Sequence, residues 1–181
     1  NMLFFGNTRC LKCGGETGYD PAVGTMVRLQ PGRGLKLCDN SVKHGVCNWL
    51  LPADSGAALC IACRMNRTIP DLGTERNRML WGRMEMAKRR LIQTLLRLGI
   101  TLPSKAEDPN LGLAFDSVST LANPAVTMGH LNGVITVNLE EADDTYRQFN
   151  RQQLGESSRT LLGHFRHESA QGIVVHEAED G

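Results

Sequence analysis

An α+β fold, with a small Cys-rich front region followed by a mainly helical part, is predicted by three features of the sequence. All six cysteines fall within the first 63 residues, in a stretch rich in Gly and Pro. A run with apolar residues every three or four positions follows at about 74–98, as on one face of a helix. A β-branched, alternating run stands at 133–139 and reads as a strand. Charge divides along the same line, with 15 Lys/Arg against 7 Asp/Glu in residues 1–100 and 5 against 12 in residues 101–181. The reading is a Cys-rich region over residues 1–72 and a second region over 73–181.

The cysteines are Cys10, Cys13, Cys38, Cys47, Cys60 and Cys63. Two pairs have the C-x2-C spacing that turns a chain sharply enough for two thiolates to reach one ion. Gly14 tolerates the positive φ that such a turn often needs. Three disulfides would require an oxidising compartment, and Asn1-Met2-Leu3-Phe4-Phe5 carries no signal-peptide pattern, so a cytoplasmic setting is expected. A redox C-x2-C would want a helix after it, and Cys13-Gly14-Gly15 starts one poorly. Structural zinc (Zn2+) is the stronger reading. Two groupings stay open on spacing alone: Cys10/Cys13 with Cys60/Cys63, or Cys38, Cys47, Cys60 and Cys63. Four thiolates around zinc carry a formal −2, and Arg9, Lys12, Lys36, Lys43, Arg64 and Arg67 lie close to cysteines in sequence, so part of the basic charge reads as compensation.

Residues 14–37 read as loops and short strands around a metal core too small to fold alone. Thr68 to Gly73 reads as a connector. The helix then begins at Thr74 or Glu75 and runs to Leu98, with Gly99 as its stop. Leu80, Met84, Ala87, Leu91, Leu95 and Leu98 form its apolar stripe. Arg76, Arg83, Lys88, Arg89, Arg90 and Arg97 are expected largely away from it, as a solvated face rather than a nucleic-acid surface, because Trp81 is the helix's one aromatic residue. Residues 101–132 read as loop. After the strand, Glu140, Glu141, Asp143 and Asp144 are expected in the first turn of a new helix, where its dipole favours carboxylates. Past Gly155, Ser157 or Ser158 can cap a last helix carrying Leu161, Leu162, His164, Phe165, His167 and Glu168.

His164-Phe165-Arg166-His167-Glu168 is the densest chemical cluster. A zincin helix needs H-E-x-x-H, in which two imidazoles one turn apart bind zinc and the Glu activates water. Here Gln171 stands where the second imidazole belongs, and His176 is off the required turn. By itself the cluster reads more readily as a polar helix surface.

Several segments together resemble a known family: Leu3 to Gly14, Gly18-Tyr19-Asp20-Pro21, His44 to Leu50, Cys60 to Leu72, and Leu161 to Glu168. In ordered spacing from about residue 3 to 168, they look like bacterial zinc-binding metallopeptidases that carry an N-terminal zinc ribbon. The resemblance implies a zinc ribbon followed by a mainly helical, zincin-like domain, incomplete at its C-terminus. Members begin with a further Cys knuckle; without it Cys10 and Cys13 lack partners, which favours Cys38, Cys47, Cys60 and Cys63 as the intact site and implies that the chain has lost its first residues. Of the catalytic pattern, His167 as zinc ligand and Glu168 as general base carry over.

The resemblance therefore implies a zinc-binding member of a peptide-hydrolysing family, in a truncated or degenerate form unable to hydrolyse peptides. Its partner would be a peptide or protein substrate, with the strand at 133–139 aligning it. The competing reading is a non-catalytic module whose ribbon and basic helix bind nucleic acid or a protein partner. No apolar run approaches 18 residues, so no membrane association is expected.

Overall fold

The computed structural model of the protein describes residues 3–100, 103–119, 129–156 and 160–167. Two antiparallel hairpin-like pairs build the front. Strand β1 (Thr17–Asp20) pairs with β2 (Thr25–Arg28), and β3 (Leu35–Leu37) pairs with β4 (Leu50–Pro52). The two pairs touch where the Tyr19 amide donates to the Asn48 carbonyl at 2.8 Å. Gly18 makes that approach possible, since a Cβ there would lie 2.7 Å from the Asn48 carbonyl oxygen. Phe5, Tyr19 and Trp49 pack beside it, Phe5 edge-on to both other rings and Tyr19 and Trp49 centroids 4.8 Å apart, so aromatic packing ties the N-terminal segment to the ribbon.

A short helix, α1 (Asp39–His44), links β3 to β4. After β5 (Asn66–Thr68) the long helix α2 spans Glu75–Arg97. The Thr74 hydroxyl accepts from the Asn77 amide and caps it, as Ser and Thr do at helix starts. Leu80, Met84, Ala87, Leu91 and Leu95 are buried in the expected stripe, whereas Leu98 is 69% exposed. The basic residues divide differently from expectation. Lys88 and Arg89 are interior, at 1% and 2% exposure, and only part of the set forms a solvated face.

The rear region is mixed α/β, which corrects the expectation of a mainly helical domain. Strands β6 (Ala114–Val118), β7 (Gly129–Leu131) and β8 (Val134–Asn138) join β5 in one sheet of order β5-β6-β8-β7. Its successive pairings in space are parallel, parallel and antiparallel. Residues 101–132 thus contain two strands where a loop was expected. Asn132 and Gly133, both at positive φ, close β7 onto β8 as a two-residue turn. Strand β8 pairs with β6 along its length and with β7 at Val134, Ile135 and Thr136. β7 is the outer strand there.

Phe115, Ile135 and Val137 point from the sheet into the same core as Leu80, Trp81 and Met84 of α2 and Cys38, Cys47, Cys60 and Cys63 of the ribbon. The core is therefore continuous across residue 72. A 3-10 turn, Leu139–Ala142, then buries Glu140 and Glu141, so these carboxylates lie in the interior instead of on a helix's first turn. Helix α3 (Asp144–Gln153) starts after them, capped by Asp143. Residues 161–167 are helical, with Leu161 and Phe165 buried and Phe165 edge-on to Phe115 at 5.7 Å. The capping role expected of Ser157 or Ser158 lies outside the described residues. None of the helices among the described residues is long and apolar enough to cross a membrane.

Candidate metal centre

Local structure brings four cysteines together. Cys38 precedes α1 in an extended conformation, and Gly45 ends that helix at φ 67, a left-handed conformation glycine adopts without strain. The chain can then return within two residues to Cys47. Cys60 and Cys63 flank a tight turn closed by the Arg64 amide donating to the Cys60 carbonyl at 3.0 Å. The Sγ atoms of Cys38, Cys47, Cys60 and Cys63 all lie within 4.8 Å of one another, and each residue is at most 2% exposed. Cys47 and Cys60 sulfurs are 3.8 Å apart, and none of the four is in a disulfide. A tetrahedral zinc with bonds of about 2.3 Å sets its sulfurs about 3.8 Å apart, so the donor set fits that ion.

Backbone amides prepare the sulfurs for negative charge. Trp49 N–H donates to Cys47 Sγ and Cys60 N–H to Cys38 Sγ, each at 3.4 Å. Hydrogen bonds from Cys47, Cys60 and Cys63 draw the Cys38 thiol well down, while bonding with Cys38 pushes Cys47 and Cys60 up. Cys63 is lowered to about 7: its bond with Cys38 opposes ionisation, but Cys47, Cys60 and the positive charge of Lys88 outweigh that and burial. Thiolate, not thiol, binds metal.

Helix α2 lies against the cluster. The Cys63 thiol donates to Glu85 Oε2 at 3.7 Å, and Lys88 Nζ donates to Glu85 Oε1 at 2.6 Å. Lys88 also bonds Asn66 Oδ1 and sits 5.5 Å from the Phe115 ring centroid. Arg89 Nη1 donates to the carbonyl of Val46, the residue before Cys47. Burial pushes the Glu85 carboxyl up against the opposing pull of Lys88. The expectation for Lys88 and Arg89 is a solvated face, and Glu85 is not among the candidate residues. Yet Lys88 continues the Leu80–Met84–Ile92 row, and Glu85 and Arg89 continue the row from Trp81. Charged residues at core spacing were the available signal.

Cys10 and Cys13 stand apart from this group. Cys10 is half-buried and Cys13 exposed, in a tight loop where the Gly14 amide donates to the Cys10 carbonyl at 2.8 Å. Three of the cations expected to compensate the site are engaged elsewhere: Lys43 pairs with Asp39, Arg64 with Glu107 and Arg67 with Asp116. His167 is exposed on its helix, and His164 Nε2 lies 3.9 Å from Glu141 Oε2. Glu168 and Gln171 lie outside the described residues. Among the described residues, the four cysteines are the one group of three or more potential ligands within reach of a common ion.

A protein with a buried four-cysteine centre beneath a long helix belongs to the class of structural zinc proteins. The chain belongs more particularly to the family described as "Putative zinc-binding metallo-peptidase", which matches residues 77–179, and a zinc-ribbon domain matches residues 1–74. Uncharacterized proteins of Mycobacterium bovis and of two strains of Mycobacterium tuberculosis are similar to it, each 39% identical over 166 residues. The alignment covers 92% of this chain and 48% of each relative, so the chain spans about half their length. No solved structure matches it.

Proposed function

We propose that Cys38, Cys47, Cys60 and Cys63 hold one structural zinc, which fixes the ribbon (residues 1–72) against the metallopeptidase-family region (73–181), and that this chain does not itself hydrolyse peptides. The observation that carries the zinc reading is the convergence of four buried sulfurs within 4.8 Å. In the family's reaction, zinc supplies Lewis acidity that readies water for attack on a peptide carbonyl. Of the residues that reaction needs, His167 would be a ligand and Glu168 would take the proton from water. Gln171 at the position of the second imidazole supports the inactive reading, because an amide oxygen is a weak zinc donor beside imidazole. A reducing cytoplasmic setting suits four cysteines that must stay reduced.

Metal analysis with a peptidase assay on the intact chain tests both parts. One zinc per chain, lost in Cys47→Ser or Cys60→Ser and retained in Cys10→Ser/Cys13→Ser, is expected, with no peptide hydrolysis. A metal-free protein would remove the zinc reading. A second tightly bound zinc, with hydrolysis abolished by Glu168→Ala, would overturn the inactive one.

A further inference from the structure

We propose that helix α2 belongs to the metal centre: Lys88 and Arg89 are its built-in counter-ions, and the ribbon retains zinc only with them in place. This rests on the four-cysteine zinc reading and extends it. Four thiolates and one zinc carry a formal −2, which a buried site must balance locally. Three of the basic residues near the cysteines in sequence do not do so, since Lys43, Arg64 and Arg67 are 64%, 41% and 57% exposed and each pairs with a carboxylate.

The interior cations come from α2. Lys88 and Glu85 form a buried pair, each side chain 1% exposed, and the other oxygen of Glu85 meets Cys63. Arg89 is 2% exposed and, among the described residues, bonds the Val46 carbonyl and the Met86 sulfur without an ion pair to a carboxylate. Glu85, Lys88 and Arg89 together therefore carry a formal +1 on the face of α2 that meets Cys63 through Glu85 and the chain beside Cys47 through Val46. Arg89 also acts through space on the Glu85 carboxylate, which Lys88 already pairs, so one buried positive charge is left over. Such a charge is costly unless a negative group answers it, and the thiolate centre supplies that charge. Cys63 Sγ and Lys88 Nζ meet the two oxygens of the same Glu85 carboxyl, so Lys88 stands one group away from a metal ligand.

The charges predict effects of different sign on one helix, which packing alone would not. The intact chain and its Lys88→Met, Lys88→Arg, Arg89→Met, Glu85→Gln and Arg90→Met variants are loaded with zinc, and metal release to a chromogenic chelator is timed. Removing one charge from a buried, mutually balanced set is strongly destabilising, so Lys88→Met and Arg89→Met should release zinc at least about tenfold faster. Lys88→Arg and the exposed Arg90→Met should stay near the unmodified chain, and Glu85→Gln should be no faster. With cobalt(II) in place of zinc, the sulfur-to-metal absorption should shift in Lys88→Met and not in Arg90→Met. Arg89→Met strands no carboxylate and keeps the test alive if Lys88→Met fails to fold. Arg89→Met releasing zinc at the unmodified rate, or Glu85→Gln accelerating release as much as Lys88→Met, would overturn the proposal. If the unmodified chain holds no zinc, the four-cysteine reading itself fails; if it holds one and the charge variants keep it equally well, this inference alone fails.

Discussion

Glu85 Oε1 and Lys88 Nζ, one turn apart on α2, meet at 2.6 Å with both side chains 1% exposed. Removing one member of such a pair strands the other charge in the interior, which costs about 3–5 kcal/mol, whereas replacing both with apolar groups of similar volume is often neutral. Lys88→Ala should therefore lower unfolding free energy in excess zinc by about 3–5 kcal/mol. Glu85→Leu/Lys88→Met should recover most of that loss in the same urea titration. Equal losses in the single and double variants would show that the pair's charge is not what matters.

Metal removal should loosen more than the ribbon. Trp49 beside Cys47 and Trp81 on α2 are both fully buried in the core that holds the four sulfurs. Because binding free energy at such a site is also folding free energy, chelation should red-shift the fluorescence of both tryptophans. Tryptophan-to-phenylalanine variants separate the two signals. An unshifted Trp81 would mean that α2 stays packed without metal.

Acid should expose the contribution of Asp116. Burial raises this carboxyl, but hydrogen bonds from Arg67 and Thr68 outweigh it and hold it below the usual range. With the folded value depressed, its stabilisation is fully present above the unfolded value of about 3.9 and is lost as pH falls through the folded value. Asp116→Asn should thus melt lower than the unmodified chain near neutral pH, and the gap should close below about pH 4. A pH-independent gap would point to packing rather than charge.

Helix α3 depends on its cap. Asp143 Oδ1 accepts from the Thr145 and Tyr146 amides at 2.9 and 3.3 Å, and Oδ2 meets Arg76 on α2 at 3.3 Å. Asp143→Ala should cost about 1 kcal/mol, and Asp143→Ser should restore most of it. Hydrogen exchange at Thr145 and Tyr146 reads the cap directly, and unchanged protection there would refute it.

Long, periodic stretches were legible. The helix start at Thr74 or Glu75, the body that follows to Arg97 and the strand Val134–Asn138 follow from patterns that act over neighbouring residues. Short β6 and β7 were not, because five and three residues leave too little periodicity to read. The Asn132-Gly133 turn was a usable sign of the β7–β8 hairpin, since both residues adopt positive φ. The carboxylates Glu140 and Glu141 were misplaced for a related reason. Acidic residues before a helix suit its dipole, and only the partners of a folded core make their burial tolerable.

The sequence by itself determined the composite character of this protein: cysteine spacing, charge division and apolar period are local properties of the chain. It left open which cysteines share an ion, because that depends on sulfur-to-sulfur distances between segments up to 25 residues apart in sequence, from Cys38 to Cys63. Tertiary structure decided that, and it decided which cations answer the site. Sequence proximity pointed to Arg9, Lys12, Lys36, Lys43, Arg64 and Arg67, but electrostatic balance in a low-dielectric interior is set by distance and burial. Folding buries Lys88 and Arg89 on the helix that meets Cys63 through Glu85, and leaves Lys43, Arg64 and Arg67 exposed and paired with carboxylates.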